Sequence, residues 1–257
     1  MSIDLQIESS IATITINRPE RLNAMDAEHY AALSRSWAEV RDNPKVRVVV
    51  ITGAGERSFT AGADIKSYLT RENAWSDTWL TQRDQLLNRG LELWKPVIAA
   101  VNGSCYGGGV TLLLATDIRI AVEGTQFALS EVKRGIIAAN GGTQRVLSQL
   151  PYPIAMEMLL TGEPIDTDAA MRWGLINKVV SRANLMPTVM DYAERIAANA
   201  PLAVQASKEL AIRSRDVDLA TGLRMEQLVA RLLRETADAK EGSRAFADKR
   251  SPDFQGA

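Results

Sequence analysis

The segment Val97-Ile-Ala-Ala-Val-Asn-Gly103, followed closely by Tyr106-Gly-Gly-Gly-Val-Thr111, is the clearest guide to the architecture of this 257-residue chain. A short apolar run ends at a glycine, and a triple glycine then leads into Val110–Ala115, which has helical character. This order predicts a buried strand, a tight turn and a helix. Consecutive glycines at the start of a helix also leave backbone N–H groups accessible to a ligand.

The same order of strand, glycine turn and helix recurs in the first half of the chain. Val46–Thr52 is an almost continuous β-branched run, which indicates a strand covered on both faces, as in a parallel sheet. Ile118–Ala121 and Gln126–Leu129 are further short strand candidates. Repeats of this kind predict right-handed βαβ-type units and therefore an α/β fold.

The N-terminal segment predicts a strand pair and a capped helix. Ile3–Glu8 and Ile11–Asn17 carry strand patterns and are joined by the turn-forming pair Ser9-Ser10. Asp26 is a suitable N-cap for a helix that runs to about Asp42, where Asn-Pro follows.

Helical periodicity is also predicted for Trp75–Leu93, and it dominates after residue 141. Leu175–Val180 is the exception, because it predicts a short extended segment. We therefore divide the chain into a sheet-containing core, residues 1–195, and a C-terminal helical region, residues 196–257.

Charge and composition exclude several classes of function. Lys and Arg number 30 against 31 Asp and Glu, without a basic block, so we expect no nucleic-acid partner. No apolar run reaches about 18 residues and no signal-peptide pattern occurs, so we expect no membrane association and a cytoplasmic protein. The single cysteine, Cys105, is expected to be a small buried residue, and the single histidine, His29, to lie on the surface. One histidine and one cysteine argue against a metal site.

A second turn of small residues, Ser58-Phe-Thr-Ala-Gly-Ala-Asp-Ile-Lys66, follows the strand at Val46–Thr52 and precedes another predicted helix. Two such turns, each ending a strand of one sheet, could direct two amide donors at one oxygen. This is the requirement for an oxyanion hole, in which the loss of one donor costs about 3–4 kcal/mol of transition-state stabilisation.

The segment Phe127-Ala-Leu-Ser-Glu131 places a carboxylate at the end of an apolar stretch, shortly before further glycine turns. Glu131 could act on a substrate, or it could be a solvated residue at the end of a strand, since charged residues are mostly exposed. The residues alone leave both interpretations open.

A series of motifs then occurs in a characteristic order. They are Ala61-Gly-Ala-Asp-Ile-Lys66, Lys95-Pro-Val-Ile-Ala-Ala-Val-Asn-Gly103, the glycine triplet, Phe127-Ala-Leu-Ser-Glu131, Gly141-Gly-Thr-Gln-Arg145, Met158-Leu-Leu-Thr-Gly162, Trp173-Gly-Leu-Ile-Asn-Lys-Val-Val180 and Glu241-Gly-Ser-Arg-Ala-Phe-Ala-Asp-Lys-Arg250. The ordered set covers nearly the whole chain and resembles the enoyl-CoA hydratase/isomerase (crotonase) family.

The resemblance implies a crotonase-type α/β fold, a spiral of ββα-like repeats with a C-terminal helical trimerisation region. It implies a homotrimer or a dimer of trimers. It also implies an acyl-CoA thioester as substrate and no separate cofactor, because coenzyme A is part of the substrate.

The resemblance also assigns roles to individual residues. The backbone N–H groups of Ala63 and Gly108 are expected to form the oxyanion hole, and Glu131 and Thr111 occupy the two catalytic positions. The Arg18–Met25 loop is expected near the CoA nucleotide. Residues expected to bind substrate or CoA, the last two in a neighbouring subunit, are Arg21, Ala24, Ala61, Asp64, Ile65, Lys66, Gly107, Phe246 and Lys249.

One departure from the family pattern affects the chemistry. Hydratases of the family use two glutamates, and Thr111 replaces the first of them. A threonine hydroxyl does not titrate near neutral pH and is a poor proton shuttle, so Glu131 would act alone as the acid/base. One carboxylate is compatible with enoyl-CoA hydration, with dehydration, or with a double-bond shift. A non-catalytic acyl-CoA-binding or scaffold protein is the alternative of a different class.

Other departures concern neighbouring branches of the family. Ala139 stands where dienoyl-CoA isomerases and aryl-CoA dehalogenases place an Asp, and Gln227-Leu-Val229 lacks the Tyr of feruloyl-CoA hydratase/lyases. Ala138 replaces a usual proline. Asn140 could contact substrate or serve as a turn residue in left-handed geometry. Trp75 and Trp79 could line an acyl pocket or simply pack, as apolar residues at this helical spacing do.

Overall fold

Strands in two sheets form the framework of the computed structural model, in which residues 3–69 and 85–257 are described. The strands are β1 (Ile3–Glu8), β2 (Ile11–Ile16), β3 (Val48–Gly53), β4 (Ser58–Thr60), β5 (Val97–Val101), β6 (Ser104–Tyr106), β7 (Ile118–Val122), β8 (Phe127–Ala128) and β9 (Lys178–Val180). The larger sheet has the order β1-β2-β3-β5-β7-β9 and the smaller one β4-β6-β8. β1 pairs with β2 in antiparallel fashion, and the other strand pairs are parallel.

Helices follow the short strands and fill the second half of the chain. They are α1 (Ala27–Asp42), α2 (Ile65–Leu69), α3 (Gly108–Leu113), α4 (Gly142–Gln149), α5 (Tyr152–Thr161), α6 (Thr167–Arg172), α7 (Leu185–Ala197), α8 (Pro201–Arg213), α9 (Leu219–Arg234) and α10 (Ala237–Ala247). Short 3-10 turns occur at Pro19–Arg21, Glu131–Arg134 and Arg182–Asn184.

The chain alternates between the two sheets, and this alternation produces the ββα-like repeat. β3 leads into β4, β5 into β6, and β7 into β8, so that three strands of the larger sheet are each followed by one of the smaller sheet. The turns that end β4 and β6 therefore lie side by side, because β4 and β6 are paired. This pairing is what brings the two glycine-bearing turns together.

Both faces of the larger sheet are covered, as the β-branched composition of β3 predicts. Val49 and Ile51 face a core cluster that also contains Trp37 of α1 and Phe59 of β4. Val48 and Val50 face the opposite side, where α7 packs through Val189 and neighbouring residues. The alternation of side chains along a strand thus supplies two separate cores.

The predicted α1 is confirmed, including its N-cap. The Asp26 side chain accepts a hydrogen bond from the His29 backbone N–H at 3.1 Å. The prediction that His29 lies on the surface is wrong: its ring is buried, with Nδ1 2.7 Å from Asp26 Oδ1. The cap residue gives one ring nitrogen a hydrogen-bond partner, which lowers the cost of burying the imidazole.

Two strands carry no recognisable signal in the sequence, and one predicted helix is wrong in part. β4 and β6 have three residues each, which is too few to show a strand period. Of the helix predicted for Trp75–Leu93, residues 75–84 lie outside the described residues. Residues 85–93 are not helical: Leu86 pairs with Arg89 and Gly90 in a tight turn, and Gly90 has a φ of 77°.

The helix α8 is tied to the core by polar contacts that are partly buried. Lys208 of α8 donates to Asp117 Oδ2 at 2.7 Å and to the Lys95 carbonyl at 3.0 Å. The proposed division after residue 195 falls just before the end of α7, which packs on the larger sheet. That boundary stays a prediction.

The tail after α10 folds back on that helix. Arg250 forms a double ion pair with Glu241, at 2.5 and 2.9 Å. The buried Asp238 accepts hydrogen bonds from the backbone N–H groups of Gln255 and Gly256, at 2.7 and 2.8 Å. Arg47, next to β3, donates to the Phe254 carbonyl. The tail therefore joins the last helix to the larger sheet.

Candidate active site

The first glycine turn connects β4 to α2 and is held by the loop before α1. Gly62 has a φ of 81°, and its amide donates to Thr60 Oγ1 at 3.0 Å. Met25 donates to the Gly62 carbonyl and accepts from the Asp64 amide, both at 2.8 Å. The amide of Ala63 lies between these fixed points and has no acceptor among the described residues.

The second glycine turn connects β6 to α3. Gly107 has a φ of 53°, a value that glycine adopts readily, and its amide donates to the Ala128 carbonyl at 2.8 Å. Gly108 is the first helical residue, and within the described part of the chain its amide also has no acceptor. The glycines at both positions allow the two backbones to approach each other.

The two turns come within contact distance. A Cβ atom built on Gly62 would lie only 2.5 Å from the Gly108 nitrogen, and one built on Gly108 would lie 3.6 Å from the Ala63 nitrogen. The space beside Gly108 is therefore bordered by both unpaired amides. The two turns that the resemblance assigns to an oxyanion hole, at Ala63 and Gly108, therefore lie side by side, and the binding of one oxygen by both amides stays a prediction.

Glu131 begins the 3-10 turn after β8 and lies against the second glycine turn. Its Oε1 is 3.2 Å from the position that a Cβ on Gly107 would take. Its Oε2 is buried and has no hydrogen-bond partner among the described residues. Burial raises the pKa of Glu131 above its ordinary value, against smaller opposing effects of its own backbone hydrogen bond and of Arg134. A half-buried carboxyl group with one buried oxygen that lacks a partner among the described residues differs from a solvated residue at a strand end.

Thr111 lies one turn into α3 and points away from bulk water. It is 2% exposed, and its hydroxyl is 3.4 Å from the Gly107 carbonyl. A Cβ on Gly142, at the start of α4, would come 2.8 Å from the same hydroxyl. Thr111 therefore packs α3, which begins just after Gly107, against the start of α4.

Asn140 lies in the turn before α4, and its backbone conformation accounts for an asparagine at this position. This residue has a φ of 56°, and its carbonyl accepts from Arg145 at 3.0 Å. The left-handed conformation is one that asparagine tolerates, so the turn interpretation accounts for its presence. Arg145 also donates to the Asn88 carbonyl at 3.1 Å.

The predicted CoA-binding segments are brought together in one chain. Arg18 donates to Asp64 at 2.9 Å and to the Ala24 carbonyl at 3.1 Å, and it lies 3.3 Å from Asp26. This arginine joins the loop at residues 18–25 to the turn at residues 61–66. The remaining predicted residues of these segments, from partly buried to exposed, are Ala61, Arg21, Ile65 and Lys66.

Phe246 and Lys249 belong to a different part of the molecule. Phe246 is at the end of α10 and is 87% exposed. Lys249 is also exposed and has a φ of 54°. Their expected contact with a neighbouring subunit stays a prediction.

Tyr30 also lies near the second glycine turn. It lies in the first turn of α1, and its hydroxyl oxygen is 3.5 Å from the Cβ position built on Gly108. In sequence, Tyr30 belongs to an ordinary amphipathic pattern, and no spacing marks it as a site residue. Within residues 3–69 and 85–257, no group of three His, Cys, Asp or Glu side chains could hold a metal ion.

Comparisons with known proteins agree with this geometry. A family model described as enoyl-CoA hydratase/isomerase matches residues 6–257. The chain is 42% identical over 257 residues to (E)-benzylidenesuccinyl-CoA hydratase from Thauera aromatica, with both chains covered completely. It is 38% identical to carnitinyl-CoA dehydratase from Proteus mirabilis, over 99% of this chain and 98% of that one.

A solved structure shows the same fold. The crystal structure of enoyl-CoA hydratase from Bacillus anthracis matches with a TM-score of 0.93 at 34% identity, and both chains are covered completely. This match confirms the predicted crotonase-type α/β fold. The relatives are named as enzymes, which does not favour the scaffold alternative. The chain therefore belongs to the enoyl-CoA hydratase/isomerase family of enzymes.

Proposed function

We propose that this enzyme adds water across the double bond of a 2-enoyl-CoA thioester, or removes it in the reverse direction. The observation that carries the proposal is the buried Oε2 of Glu131, which has no partner among the described residues, on a carboxyl group that lies against Gly107, next to the Gly108 amide. The similar chains named as a hydratase and a dehydratase support this reaction over others of the family.

The reaction needs one carboxylate and one place for negative charge. The Ala63 and Gly108 amides hold the thioester oxygen, which makes the β-carbon electrophilic. Glu131 takes a proton from water, the water oxygen bonds to the β-carbon, and the electron pair of the double bond moves to the thioester oxygen as an enolate. Glu131 then gives the proton to the α-carbon. The steps move only water and a proton, so no cofactor beyond the CoA of the substrate is required.

Thr111 supports this site as a positioning residue. Its buried hydroxyl is directed back to the Gly107 carbonyl, and its side chain packs against Gly142. These contacts fix the turn that carries the Gly108 amide, whereas a threonine hydroxyl cannot share the proton transfer with Glu131.

The CoA moiety is expected to lie along the two segments that Arg18 joins. Arg21 and Lys66 are exposed cations beside these segments and suit the phosphates of CoA. Main-chain groups of Ala24, Ala61, Ile65 and Gly107 would accompany the pantetheine and nucleotide. The Asp64 carboxylate is paired with Arg18, so it holds the segment in place.

We also propose that the chain assembles as a homotrimer or a dimer of trimers in the cytoplasm. Large apolar side chains are exposed on the C-terminal half, among them Leu219, Leu232 and Phe246, at 77%, 71% and 87%. A contiguous exposed apolar patch is typical of an interface, and we propose that these residues belong to one. An interface there would let Phe246 and Lys249 reach the CoA of a neighbour. In the described part of the chain, no helix is long and apolar enough to span a bilayer.

The names of the relatives suggest the substrates to test first. One is named for a 2-enoyl thioester that carries a phenyl group and a second carboxylate, and the other for a cationic acyl group. A panel should therefore contain a straight-chain 2-enoyl-CoA, a 3-aryl-2-enoyl-CoA, a dicarboxylic 2-enoyl-CoA and the matching 3-hydroxyacyl-CoA thioesters.

Glu131→Gln tests the proposal. We expect turnover of the best substrate to fall by about 10²–10⁴-fold, the usual contribution of a general acid/base, while a saturated acyl-CoA still binds. Glu163→Gln is the matched control, because Glu163 is an exposed carboxylate paired with Lys133 at 2.6 Å. Turnover by Glu131→Gln at the rate of this control would remove Glu131 from the mechanism.

The absence of a titrating group at Thr111 also favours a second candidate, a double-bond shift catalysed by one carboxylate. Conversion of a 3-enoyl-CoA to a 2-enoyl-CoA, with no hydration of the product, would establish that reaction instead. Addition of ¹⁸O-labelled water distinguishes the two, because only hydration places the label in the acyl product.

A further inference from the structure

The hydroxyl group of Tyr30 borders the same small space as the two unpaired amides. A Cβ atom built on Gly108 would meet three neighbours: Gly62 Cα at 3.3 Å, Tyr30 Oη at 3.5 Å and the Ala63 nitrogen at 3.6 Å. One point in space therefore lies next to the phenol and next to the amide of the first glycine turn. The phenol comes from α1, an element that the two glycine turns do not include.

Tyr30 is held on the inner face of α1. Leu33 and Trp37, three and seven residues further along the helix, are buried in the core, and the Tyr30 ring packs against the same cluster. The Tyr30 amide donates to the Asp26 carbonyl at 3.0 Å. The side chain is thus oriented by the helix packing and by the N-cap.

The start of α1 and the first glycine turn form one rigid unit. Met25, just before the cap, is hydrogen-bonded to Gly62 and Asp64 on either side of Ala63, at 2.8 Å each. Arg18 bridges Asp26 and Asp64, at 3.3 and 2.9 Å. The phenol and the Ala63 amide therefore keep their relative position, which is what preorganised stabilisation of a developing charge requires.

We infer that Tyr30 is a further catalytic residue, whose hydroxyl donates a third hydrogen bond to the thioester oxygen as it becomes an enolate. The inference rests on the proposed function. A phenol is a good donor and keeps its proton at neutral pH, so the group acts by hydrogen bonding and transfers nothing. Hydrogen bonds to an anionic oxygen are shorter and stronger than neutral ones, so the contact would strengthen as charge develops.

A third hydrogen-bond donor would also compensate for the threonine at position 111, where hydratases of the family have a second carboxylate. Thr111 cannot supply a proton, so Glu131 must both take and return one. Stronger stabilisation of the enolate makes its formation easier for a single base, because the charge then resides on a better-solvated oxygen.

Tyr30→Phe removes only the hydroxyl, and Tyr192→Phe is the matched control. Tyr192 is a partly buried tyrosine of α7, on the opposite side of the larger sheet. We expect kcat of Tyr30→Phe to fall by about tenfold to a hundredfold, the value of a hydrogen bond to a charged group, with KM little changed. Tyr192→Phe should keep the activity of the unaltered enzyme. An unchanged kcat in Tyr30→Phe would overturn the inference.

A spectroscopic measurement separates this role from a structural one. In a Glu131→Gln background, which retains the bound substrate, the absorption of a conjugated 3-aryl-2-enoyl-CoA should shift to longer wavelength on binding, because the oxyanion donors polarise the thioester. Adding Tyr30→Phe should reduce the shift, and a fluorinated tyrosine at position 30, a stronger donor while protonated, should increase it. Damage to the fold could not produce that increase.

The outcomes distinguish the inference from the proposed function. The absence of any shift in the Glu131→Gln protein would contradict the oxyanion hole itself. A full shift that is the same with tyrosine, phenylalanine and fluorotyrosine at position 30 would leave the oxyanion hole in place and overturn only the role of Tyr30.

Discussion

Replacement of Gly62 by alanine tests whether the close approach of the two glycine turns sets the catalytic rate. The new Cβ would lie 2.5 Å from the Gly108 nitrogen, about 0.9 Å inside the 3.4 Å at which ordinary contact begins. The other neighbours, Gly108 Cα at 3.0 Å and the Tyr106 carbonyl at 3.1 Å, are also backbone atoms that cannot rotate away. The two glycine turns must therefore move apart.

The magnitude follows from the size of that movement. A displacement of about 1 Å in a catalytic group costs about 100-fold in rate, so kcat should fall at least that far. Overpacking and the left-handed conformation should together lower the free energy of unfolding by about 2–5 kcal/mol. Acyl-CoA binding should weaken as well, because the turn at Gly62 also carries Ala61 and Ala63, which are proposed to contact the substrate.

Gly124→Ala is the matched control for this experiment. Gly124 has a φ of 75°, close to the 81° of Gly62, but a Cβ there meets no atom within 4 Å. It should lose about 1–2 kcal/mol from strain alone and keep its kcat. The assays are steady-state hydration and urea unfolding of both variants. Equal kcat values for folded Gly62→Ala and Gly124→Ala would refute the argument that the spacing of the two turns sets the rate.

Three further predictions concern titrating groups. Because burial raises the pKa of Glu131 above 4.5 and a general base must be ionised, kcat/KM should decline with falling pH at a pKa above that value, and a decline only below 4.5 would contradict it. The raised pKa also links protonation of Glu131 to folding. The contribution of Glu131 to the free energy of unfolding is fully present below its pKa in the unfolded chain, and it is lost as pH rises through its pKa in the folded protein. Glu131→Gln should therefore unfold at higher urea than the unaltered protein at neutral pH, with the difference vanishing in acid. Hydrogen bonding to Arg250 lowers the pKa of Glu241 to about 2. The stabilising effect of the ionised Glu241 is therefore fully present above the ordinary pKa of a glutamate and is lost only as pH falls through about 2. Glu241→Gln should speed carboxypeptidase trimming of the tail at neutral pH, and Glu209→Gln, another surface partner of an arginine, should not.

The sequence predicted the strands that have a clear period and the helix that has a clear cap. The alternation in Ile11–Ile16, the β-branched run of β3 and the cap at Asp26 are local signals, and the structure confirms each of them. The two glycine turns were also visible. Their approach to each other could be expected only because both were assigned to one sheet.

Features that depend on contacts between distant segments were not predictable in this way. Three residues in β4 or β6 become a strand only when the other is beside them. His29 is buried because Asp26 satisfies its ring, and a lone histidine on a helix carries no sign of that partner. Tyr30 looks like any aromatic residue of an amphipathic helix until α1 is placed over the Gly108 turn.

The position of Cys105 gives this protein an internal reporter. Its thiol is fully buried in β6, between β4 and β8, and burial raises its pKa well above the ordinary value. A thiol reagent can therefore react with Cys105 only when the smaller sheet opens. The labelling rate then reports how often the strands that carry both glycine turns separate. Slower labelling in the presence of an acyl-CoA would measure directly how strongly the ligand clamps those strands together.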